Sequence, residues 1–319
     1  MVYRAYGPPD VLELADLPTP LPKDDEVLVR VHASSVNDYD WHLLSGRPLL
    51  NRVGGPFRPK YPVLGSDIAG TVEAVGRNVT RLKPGDAVTA DMSPFGFGAY
   101  AEYVTAPEAT LGSKPANLTF EQAAAVPQAG GLAVMALRSG PPLRTGQKVL
   151  VNGAGGGVGT FAVQIAKAFG CEVTGVDLPA KLDAIRQVGA DHVIDFTTTD
   201  FATSGETYDR IVDVASHRPV SAYRRALKPG GFCALIGGSI PRLMLVMATG
   251  RVVSSFGSRQ VRVPLWKPND EDDVAFLDRL LVAGSVAPLV DSVFPLAELP
   301  AAFRYYAGQH HKGKIVITV

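Results

Sequence analysis

A glycine-rich turn limits what this chain can fold into more than any other stretch, because five of the seven residues from Gly153 to Gly159 are glycine. An apolar run, Val149–Asn152, precedes the turn, and a helical pattern over Gly157–Phe169 follows it. A strand, a glycine turn and a helix in this order place a diphosphate at the helix N-terminus, where unpaired backbone N–H groups and the helix dipole favour negative charge. The stretch predicts a dinucleotide site; the alternative is a tight strand-to-helix turn without a ligand.

The spacing inside the turn is A-x-G-x-x-G and not the strict G-x-G-x-x-G pattern. Ala154 takes the tight turn, Gly156 the closest approach to the phosphates, and Gly159 the position where the helix packs on the strand. The predicted contacts to the diphosphate are the residues of the turn, namely Ala154, Gly155, Gly156, Gly157, Val158 and Gly159.

An acidic residue ends the predicted second strand: Asp177 stands eighteen residues after Gly159. A carboxylate at this place binds both hydroxyls of an adenosine ribose and repels a 2′-phosphate, which favours NAD(H) over NADP(H). Two alternatives stay open. Asp177 could only cap a helix that begins near Ala180, and Lys181 could meet a phosphate.

The apolar runs indicate two kinds of β-structure in an α/β chain. From about residue 26 to 105, short alternating runs predict mainly antiparallel strands. From Lys148 onward, continuous apolar strands alternate with helices, which is typical of a doubly wound parallel sheet covered on both faces. The predicted later elements are strands Val149–Asn152, Glu172–Val176, His192–Phe196, Arg210–Val214 and Phe232–Ile236, helices Ala180–Val188, Pro219–Leu227, Asp270–Ala283 and Leu296–Ala307, and a last strand Lys314–Val319.

The charge balance limits the partners that this chain can have. Lys and Arg together number 31, as do Asp and Glu, so we expect no nucleic acid and no membrane partner. The two cysteines, Cys171 and Cys233, lie in apolar runs typical of buried thiols, and the N-terminal stretch lacks the apolar core of a signal peptide. We therefore expect a cytoplasmic protein with a small-molecule partner.

Several further stretches carry a resemblance to a known family: Ala33–Asp40, Tyr61–Gly70, Lys83–Asp86, Ala101–Val104 and Gly313–Val319, together with the glycine turn. In this order and spacing they resemble the medium-chain dehydrogenase/reductase superfamily, and within it the zinc-free quinone oxidoreductase, or zeta-crystallin-like, branch. The resemblance implies a GroES-like, mainly β catalytic domain over 1–118, completed by 256–319, and a Rossmann dinucleotide-binding domain over 119–255. It also implies an active site in the cleft between them and a homodimer through the edge of the Rossmann sheet.

The chain departs from the zinc-dependent alcohol dehydrogenases of that superfamily at their metal ligands. Where those enzymes carry a cysteine ligand this chain has Asn37, and where they carry Gly-His-Glu it has Gly65-Ser66-Asp67. With two cysteines in all, it has no counterpart of their structural zinc lobe. We therefore expect no zinc, and a small hydrophobic acceptor that tolerates weaker activation, such as a quinone or an α,β-unsaturated carbonyl.

The resemblance also supplies candidate catalytic residues. Asn37 and Asp40 keep the family's N-x-x-D spacing. Asn37 would contact nicotinamide or substrate, and Asp40 would either take part in the site with Asn37 or only stabilise the local turn. Asp67 either lines the cleft or forms a structural ion pair. Tyr39 and His42 either supply a proton or only pack, and His42 falls where the zinc enzymes have a proton-relay histidine.

Two later strand ends are implied to lie at the nicotinamide end of the cofactor, where Ala215, Gly237 and Gly238 are the candidate contacts, unless they are ordinary strand ends. An apolar acceptor pocket, or simply core, could be built by Leu49, Leu50, Phe57, Phe95, Phe97, Leu243, Met244, Met247 and Trp266. The rival function is a dinucleotide-binding redox sensor without turnover, since a cofactor site does not establish chemistry. A zinc alcohol dehydrogenase is the third interpretation.

Overall fold

The computed structural model describes residues 1–52, 55–238, 240–255 and 258–319, with side chains given outside 249–255. In chain order the strands are β1 Val2–Tyr3, β2 Leu12–Glu13, β3 Glu26–Ser35, β4 Asp67–Val75, β5 Ala87–Asp91, β6 Tyr103–Pro107, β7 Gly112–Ser113, β8 Lys148–Asn152, β9 Glu172–Asp177, β10 His192–Asp195, β11 Tyr208–Asp213, β12 Leu227–Leu235, β13 Gln260–Arg262, β14 Val290–Pro295 and β15 Lys314–Thr318. The helices are α1 Asp38–Ser45, α2 Phe120–Ala124, α3 Pro127–Arg138, α4 Gly157–Ala168, α5 Leu182–Gln187, α6 Val220–Ala226, α7 Ile240–Ser255, α8 Glu271–Val282 and α9 Leu299–Ala307. The chain divides into two compact units.

Unit 1 comprises Met1–Ala129, Pro268–Val274 and Pro288–Val319. Its main sheet has the strand order β14-β15-β3-β4-β5-β7, and β6 pairs with β3. Apart from the parallel pair of β14 and β15, these pairs are antiparallel, as the alternating runs predict. Alternation along β3 buries Val27, Val29 and Val31 in the core of the sheet.

The C-terminal strand belongs to unit 1, because β15 pairs antiparallel with β3 and places Val316 opposite Ser35. The end of the chain therefore completes the mainly β unit, as the resemblance implied. It also brings the first residue of β15, Lys314, beside the N-terminus of α1.

Unit 2 comprises Gly130–Lys267 and Ala275–Ala287. Its sheet has six strands in the order β10-β9-β8-β11-β12-β13, and every pair is parallel. The order reverses direction between β8 and β11, so the carboxyl ends of these two strands flank a switch point, the place where open α/β sheets bind ligands. Unit 2 is the Rossmann part of this α/β fold.

The boundaries of the units differ from the predicted domain boundaries at 118/119 and 255/256. The chain first enters unit 2 at Gly130 and stays in it through Lys267, since β13 extends the parallel sheet by pairing with β12; it returns to unit 2 over Ala275–Ala287. Helix α8 begins in unit 1 and continues into unit 2. Residue 256 lies outside the described residues.

The predicted elements of unit 2 are present with small shifts at their ends. Strand β12 begins earlier than predicted, at Leu227, and helix α5 begins later, at Leu182, because a short 3₁₀ turn over Pro179–Lys181 precedes it. Among the described residues, no helix combines the length and the apolar character needed to cross a bilayer.

Candidate functional site

The glycine turn lies at the carboxyl end of β8. The backbone N–H groups of Gly153 and Ala154 both donate to Val176 O, at 2.9 and 3.1 Å, which ties the turn to the end of β9. Gly156 then caps the N-terminus of α4, and no side chain caps it. The backbone N–H groups of the first turn of α4 therefore have no capping side chain as a partner, and they point out of the N-terminal end of the helix.

Two glycines in the turn have different reasons to lack a side chain. A Cβ at Gly159 would lie 2.1 Å from Gly153 O and 2.6 Å from Ala154 Cα, so the helix packs directly on the turn, as predicted for this position. A Cβ at Gly156 would meet only Gly153 O, at 3.5 Å, and would otherwise point into open space. This bare backbone beside uncapped N–H groups fits the diphosphate of a dinucleotide.

Asp177 ends β9 directly beside the turn. Its Oδ2 accepts a hydrogen bond from the N–H of Gly155 at 2.8 Å, and its Oδ1 accepts from the N–H of Leu178 at 2.8 Å. It does not cap α5, whose N-cap residue is Lys181. The Lys181 side chain covers Gly155, since a Cβ there would lie 2.8 Å from Lys181 Cβ. Both predicted ribose contacts therefore border the turn.

The candidate nicotinamide contacts lie where β11 and β12 end. The N–H of Ala215 donates to Asp213 Oδ1 at 2.9 Å, and Asn152 Nδ2 donates to the same oxygen at 2.8 Å. Burial raises the pKa of Asp213. Gly238 has a φ of +97°, and a Cβ there would lie 2.3 Å from Ser216 N, so the two strand ends approach as only glycine permits. A Cβ at Gly237 would likewise lie only 2.5 Å from Val214 O.

In unit 1 the structure gathers Asn37, Asp40 and Asp67 into one buried polar cluster. Asn37 is the N-cap of α1, and its N–H donates to Asp40 Oδ2 at 3.1 Å. The same oxygen accepts from Ser66 Oγ at 3.0 Å and from the Tyr100 hydroxyl at 3.3 Å, while Asp40 Oδ1 has no partner. Burial, and then the charge of Asp67, raise the pKa of Asp40 to about 7.

Lys314 supplies a positive charge to this cluster, and the sequence patterns did not point to it. Its Nζ donates to Asn37 Oδ1, to Val36 O at 3.2 Å and to Asp67 Oδ2 at 3.4 Å. Burial lowers the pKa of Lys314, while Asp67 and Asp40 act to raise it. The only signal available in the sequence was a lysine at the start of an otherwise apolar last strand.

Asn37 and Asp67 use their polar atoms inside the cluster. Asn37 Nδ2 donates to Asp67 Oδ2 at 2.9 Å and to Ser66 Oγ at 3.2 Å. Asp67 Oδ2 also accepts from Ser35 Oγ at 2.7 Å. The sequence left two alternatives for Asp67, a place lining the cleft or a structural ion pair. In the structure Asp67 forms an ion pair with Lys314. With its amide oxygen and both amide hydrogens engaged, Asn37 has no free donor.

Hydrogen bonds of Asp67 and Asp91 reach residues beside the first two of the four places where the chain passes between the units. Asp67 Oδ1 accepts from the N–H of Gln128 at 3.0 Å, just before the chain enters unit 2. Asn269, just after the chain returns, exchanges hydrogen bonds with the backbone of Asp91 at 2.9 and 2.8 Å. Burial and the charge of Asp67 raise the pKa of Asp91 to about 6.

Tyr39 and His42 lie on α1 outside this cluster. Tyr39 is 42% exposed, with its ring centroid 5.5 Å from that of Phe97. Partial burial, with the charges of nearby acids, raises the pKa of Tyr39, so the phenol keeps its proton at neutral pH. His42 is held at both ring nitrogens, by Arg47 O at 3.0 Å and Asp38 Oδ2 at 3.3 Å, and the bond to Asp38 raises its pKa.

The residues of the cluster do not fit a zinc ion. The oxygens of Asn37 and Asp67 that would face a metal face the ammonium of Lys314 instead, and zinc sites of proteins are built mostly from cysteine and histidine. The described part of the chain contains no group of three or more His, Cys, Asp or Glu side chains that could hold a metal.

The candidate acceptor-pocket residues divide into two groups. Some are packed: Phe97 is buried in unit 1, Leu243 packs on the core of unit 2, and Trp266 lies against Gly131. The others are exposed to solvent, namely Leu49, Leu50, Phe57, Phe95, Met244 and Met247. Most of them belong to the stretches 45–60 and 241–268, the second of which contains most of helix α7 and strand β13 and is not a loop. Each stretch includes a pair of residues outside the described part.

Two family models match the chain. The model of the alcohol dehydrogenase GroES-like domain matches residues 23–116, and that of the zinc-binding dehydrogenases matches residues 188–317. The chain is 33% identical to the chloroplast envelope quinone oxidoreductase homolog of Arabidopsis thaliana, over 99% of this chain and 96% of that protein. It is 32% identical to the mitochondrial NAD(P)H oxidoreductase RTN4IP1 of Homo sapiens, over 92% of this chain and 82% of that protein.

Solved structures are similar over the full length. The structure of the quinone oxidoreductase from Coxiella burnetii superposes with a TM-score of 0.88 at 27% identity, covering 100% of this chain and 98% of the other. An NAD-dependent alcohol dehydrogenase superposes with a TM-score of 0.84 at 31% identity, again covering 100% and 98%.

Proposed function

The chain belongs to the zinc-free quinone oxidoreductase branch of the medium-chain dehydrogenase/reductase superfamily and is an NAD(P)-dependent oxidoreductase, and we propose that it reduces a quinone, an enone or another reactive carbonyl with NADH in preference to NADPH. The observation that carries this proposal is the bare backbone at Gly156, beside the uncapped N-terminus of α4 and the carboxylate of Asp177. The first two match the diphosphate of a dinucleotide, and Asp177 matches the adenosine ribose.

The chain's own residues would bind and orient the cofactor. The N–H groups at the start of α4 would bind the diphosphate, since they are unpaired donors at the positive end of a helix dipole. Asp177 keeps lone pairs on both oxygens for the adenosine ribose, and its charge would oppose a 2′-phosphate. The strand ends at Ala215, Gly237 and Gly238 would leave room for the nicotinamide end.

Bound dihydronicotinamide supplies the hydride. A quinone or an enone is the acceptor class that suits this chain, because the anion formed on hydride addition is delocalised and a few hydrogen bonds can stabilise it. We assign to Tyr39 the role of proton donor to this anion, because its side chain is half-exposed and keeps its proton at neutral pH. Asn37, Asp40 and Asp67 would act as positioning residues, since their polar atoms are engaged with one another and with Lys314.

The test is steady-state oxidation of NADH and NADPH by the whole protein with a panel of quinones and enals. We expect turnover, and we expect Tyr39→Phe to lower kcat about tenfold or more with the KM for NADH unchanged, because proton donation typically contributes at least that factor. Tyr305→Phe is the matched control, since its hydroxyl only binds Asp291 at the surface. Binding of NADH without turnover of any acceptor would instead support the sensor.

A homodimer and a cytoplasmic location are also part of this proposal. Strand β13, three residues long, is an edge of the unit 2 sheet, and an edge strand offers unpaired backbone groups to a second copy. Light scattering should give twice the 33.7 kDa mass of the chain, and a monomer at working concentration would contradict the dimer. Fractionation of cells that express the protein tests the location.

A further inference from the structure

One loop of unit 1 concentrates positive charge that the charge balance of the whole chain conceals. No aspartate or glutamate occurs between Asp40 and Asp67, whereas Arg47, Arg52, Arg58 and Lys60 all lie there. We call residues 47–52 and 55–60 the basic loop. Arg47, Arg58 and Lys60 are exposed. A local run of one charge attracts a partner of the opposite charge even when the protein as a whole is neutral.

The same loop exposes large apolar side chains. Leu49 is 73% exposed, Leu50 is 64% exposed and Phe57 is 90% exposed. Single exposed leucines are ordinary, but three large apolar side chains on one short basic loop form a patch that favours an apolar surface over water. Each of the three side chains is mostly exposed, so its apolar surface is available to a partner.

Several contacts fix the conformation of the loop that carries these side chains. The Arg52 side chain donates to Gly46 O at 3.1 Å and to Pro56 O at 3.1 Å, so the turn with the two leucines is tied to the segment with the phenylalanine. The Arg52 guanidinium lies 4.8 Å from the centroid of the Tyr6 ring, and the Tyr6 hydroxyl donates to Gly55 O at 2.7 Å. These contacts therefore fix the backbone that carries the exposed side chains.

We propose that the basic loop docks the protein on the surface of an anionic lipid bilayer. Leu49, Leu50 and Phe57 would enter the interface between headgroups and acyl chains, and the exposed cations would lie against the headgroups. Two signals together, apolar insertion and positive charge, are what reversible binding to a bilayer surface requires. A bilayer interface accepts exposed side chains without a complementary shape.

Other partners fit the loop less well. A second copy of the chain that met this loop with its own would place like charges against each other. An acidic protein would have to offer pockets for three exposed side chains. The inference does not depend on hydride transfer, so binding to vesicles and turnover can fail separately.

The test is flotation of the full-length protein with vesicles of equal parts phosphatidylglycerol and phosphatidylcholine, compared with vesicles of phosphatidylcholine alone. We expect binding to the anionic vesicles only, and we expect salt to weaken it. Phe57→Ser and Arg58→Gln should each weaken binding by about fivefold to tenfold or more, as expected for loss of one inserted aromatic side chain or one surface cation. Leu21→Ser is the matched control, because Leu21 is 86% exposed outside the loop and should bind like wild type.

Several results would overturn the proposal. They are absence of vesicle binding, equal binding to both vesicle types, or equal loss of binding in Leu21→Ser and Phe57→Ser. Self-association without lipid that Phe57→Ser abolishes would assign the loop to a second copy. An altered KM for apolar acceptors without vesicle binding would assign it to the substrate. Unchanged unfolding midpoints of the variants ensure that each result reports on the loop.

Discussion

Lys314 places one ammonium group among the carboxyl groups of Asp40 and Asp67 in the interior of unit 1. Taking a charge out of water costs several kcal/mol unless partners compensate for it. Lys314 and Asp67 compensate for each other, and the Asn37 amide and the Ser35 hydroxyl complete their hydrogen bonds. Asp40 lacks such a counter-ion in direct contact, and burial together with the charge of Asp67 raises its pKa.

Removal of the ammonium should destabilise the protein. We expect Lys314→Met to lower the free energy of unfolding by about 3–5 kcal/mol, because it leaves Asp67 buried and unpaired. Lys312→Met, two residues earlier on the exposed surface, is the control and should change it by less than about 0.5 kcal/mol. Urea unfolding measures both. In the double variant Lys314→Met with Asp67→Asn, the loss should be smaller than in Lys314→Met alone; equal midpoints of wild type and Lys314→Met would refute the pairing.

The raised pKa of Asp40 should appear in the pH dependence of stability. Its folded pKa of about 7 lies above the 3.8 that is usual for an aspartate, so the folded protein holds this proton more tightly than the unfolded chain does. The stability that Asp40 contributes is therefore present at low pH and is lost as the pH rises toward 7. Asp40→Asn mimics the neutral acid, so wild type should lose up to about 1.4 kcal/mol per pH unit relative to it between about pH 5 and 7. Parallel unfolding curves across that range would contradict this.

The choice of cofactor should depend on Asp177. We expect Asp177→Ser to shift the ratio of NADPH to NADH affinity by about tenfold or more toward NADPH, because the repulsion of a 2′-phosphate is lost and Lys181 remains beside the turn. Asp183→Ser removes the same charge from a side chain that is 90% exposed and should leave the ratio unchanged. Fluorescence titration of both nucleotides measures it; an unchanged ratio in Asp177→Ser would remove Asp177 from ribose recognition.

At the level of single residues, the resemblance pointed to Asn37, Asp40 and Asp67, but the sequence could not show what they bind. Their partners lie far away along the chain: Lys314 is 277 residues from Asn37, and Gln128 is 61 residues from Asp67. Local periodicity carries no information about such pairs. Only the antiparallel pairing of β15 with β3 brings the lysine to the N-terminus of α1.

Among the elements, the unit of β8, the glycine turn and α4 has the least tolerance for change. We expect Gly159→Ala to lower the free energy of unfolding by about 3 kcal/mol, because its Cβ would lie 2.1 Å from a backbone oxygen that cannot move aside. Gly156→Ala is the control within the same turn, since its Cβ meets no atom closer than 3.5 Å. Thermal unfolding of the two variants tests this; equal midpoints would mean that the helix does not pack on the turn as described.

Many elements of unit 2 were predictable because buried parallel strands read as continuous apolar runs and the predicted helices show a clear period. Helix α7 was not predicted. The ends of these elements were less predictable, because 3₁₀ turns and strand extensions leave no distinct pattern in the sequence. The starts of β12 at Leu227 and of α5 at Leu182 are examples. The prediction placed a domain boundary at 255/256, whereas the first long segment of unit 2 runs through Lys267. A strand of three residues, β13, is too short to produce a recognisable alternation.

For the whole molecule, the chain passes four times between the units, and hydrogen bonds within unit 1 hold residues beside the first two of these passages. Gln128 binds Asp67 and Asp91, and Asn269 binds Asp91. The amino-acid composition gives the total charge of the molecule, but it does not show where along the chain the charges lie. The basic loop is neutralised in the total by acids elsewhere in the chain, so the whole-chain balance gave no sign of it.

The central claim is that a dinucleotide diphosphate lies on the bare backbone at Gly156. Calorimetric titration of NADH into wild type and Gly156→Val tests it most directly. We expect wild type to bind and the variant, with an unchanged unfolding midpoint, to bind about tenfold more weakly or not at all, because the added side chain fills the space that the phosphates need. Absence of NADH and NADPH binding by wild type, or equal affinity in the folded variant, would contradict the claim.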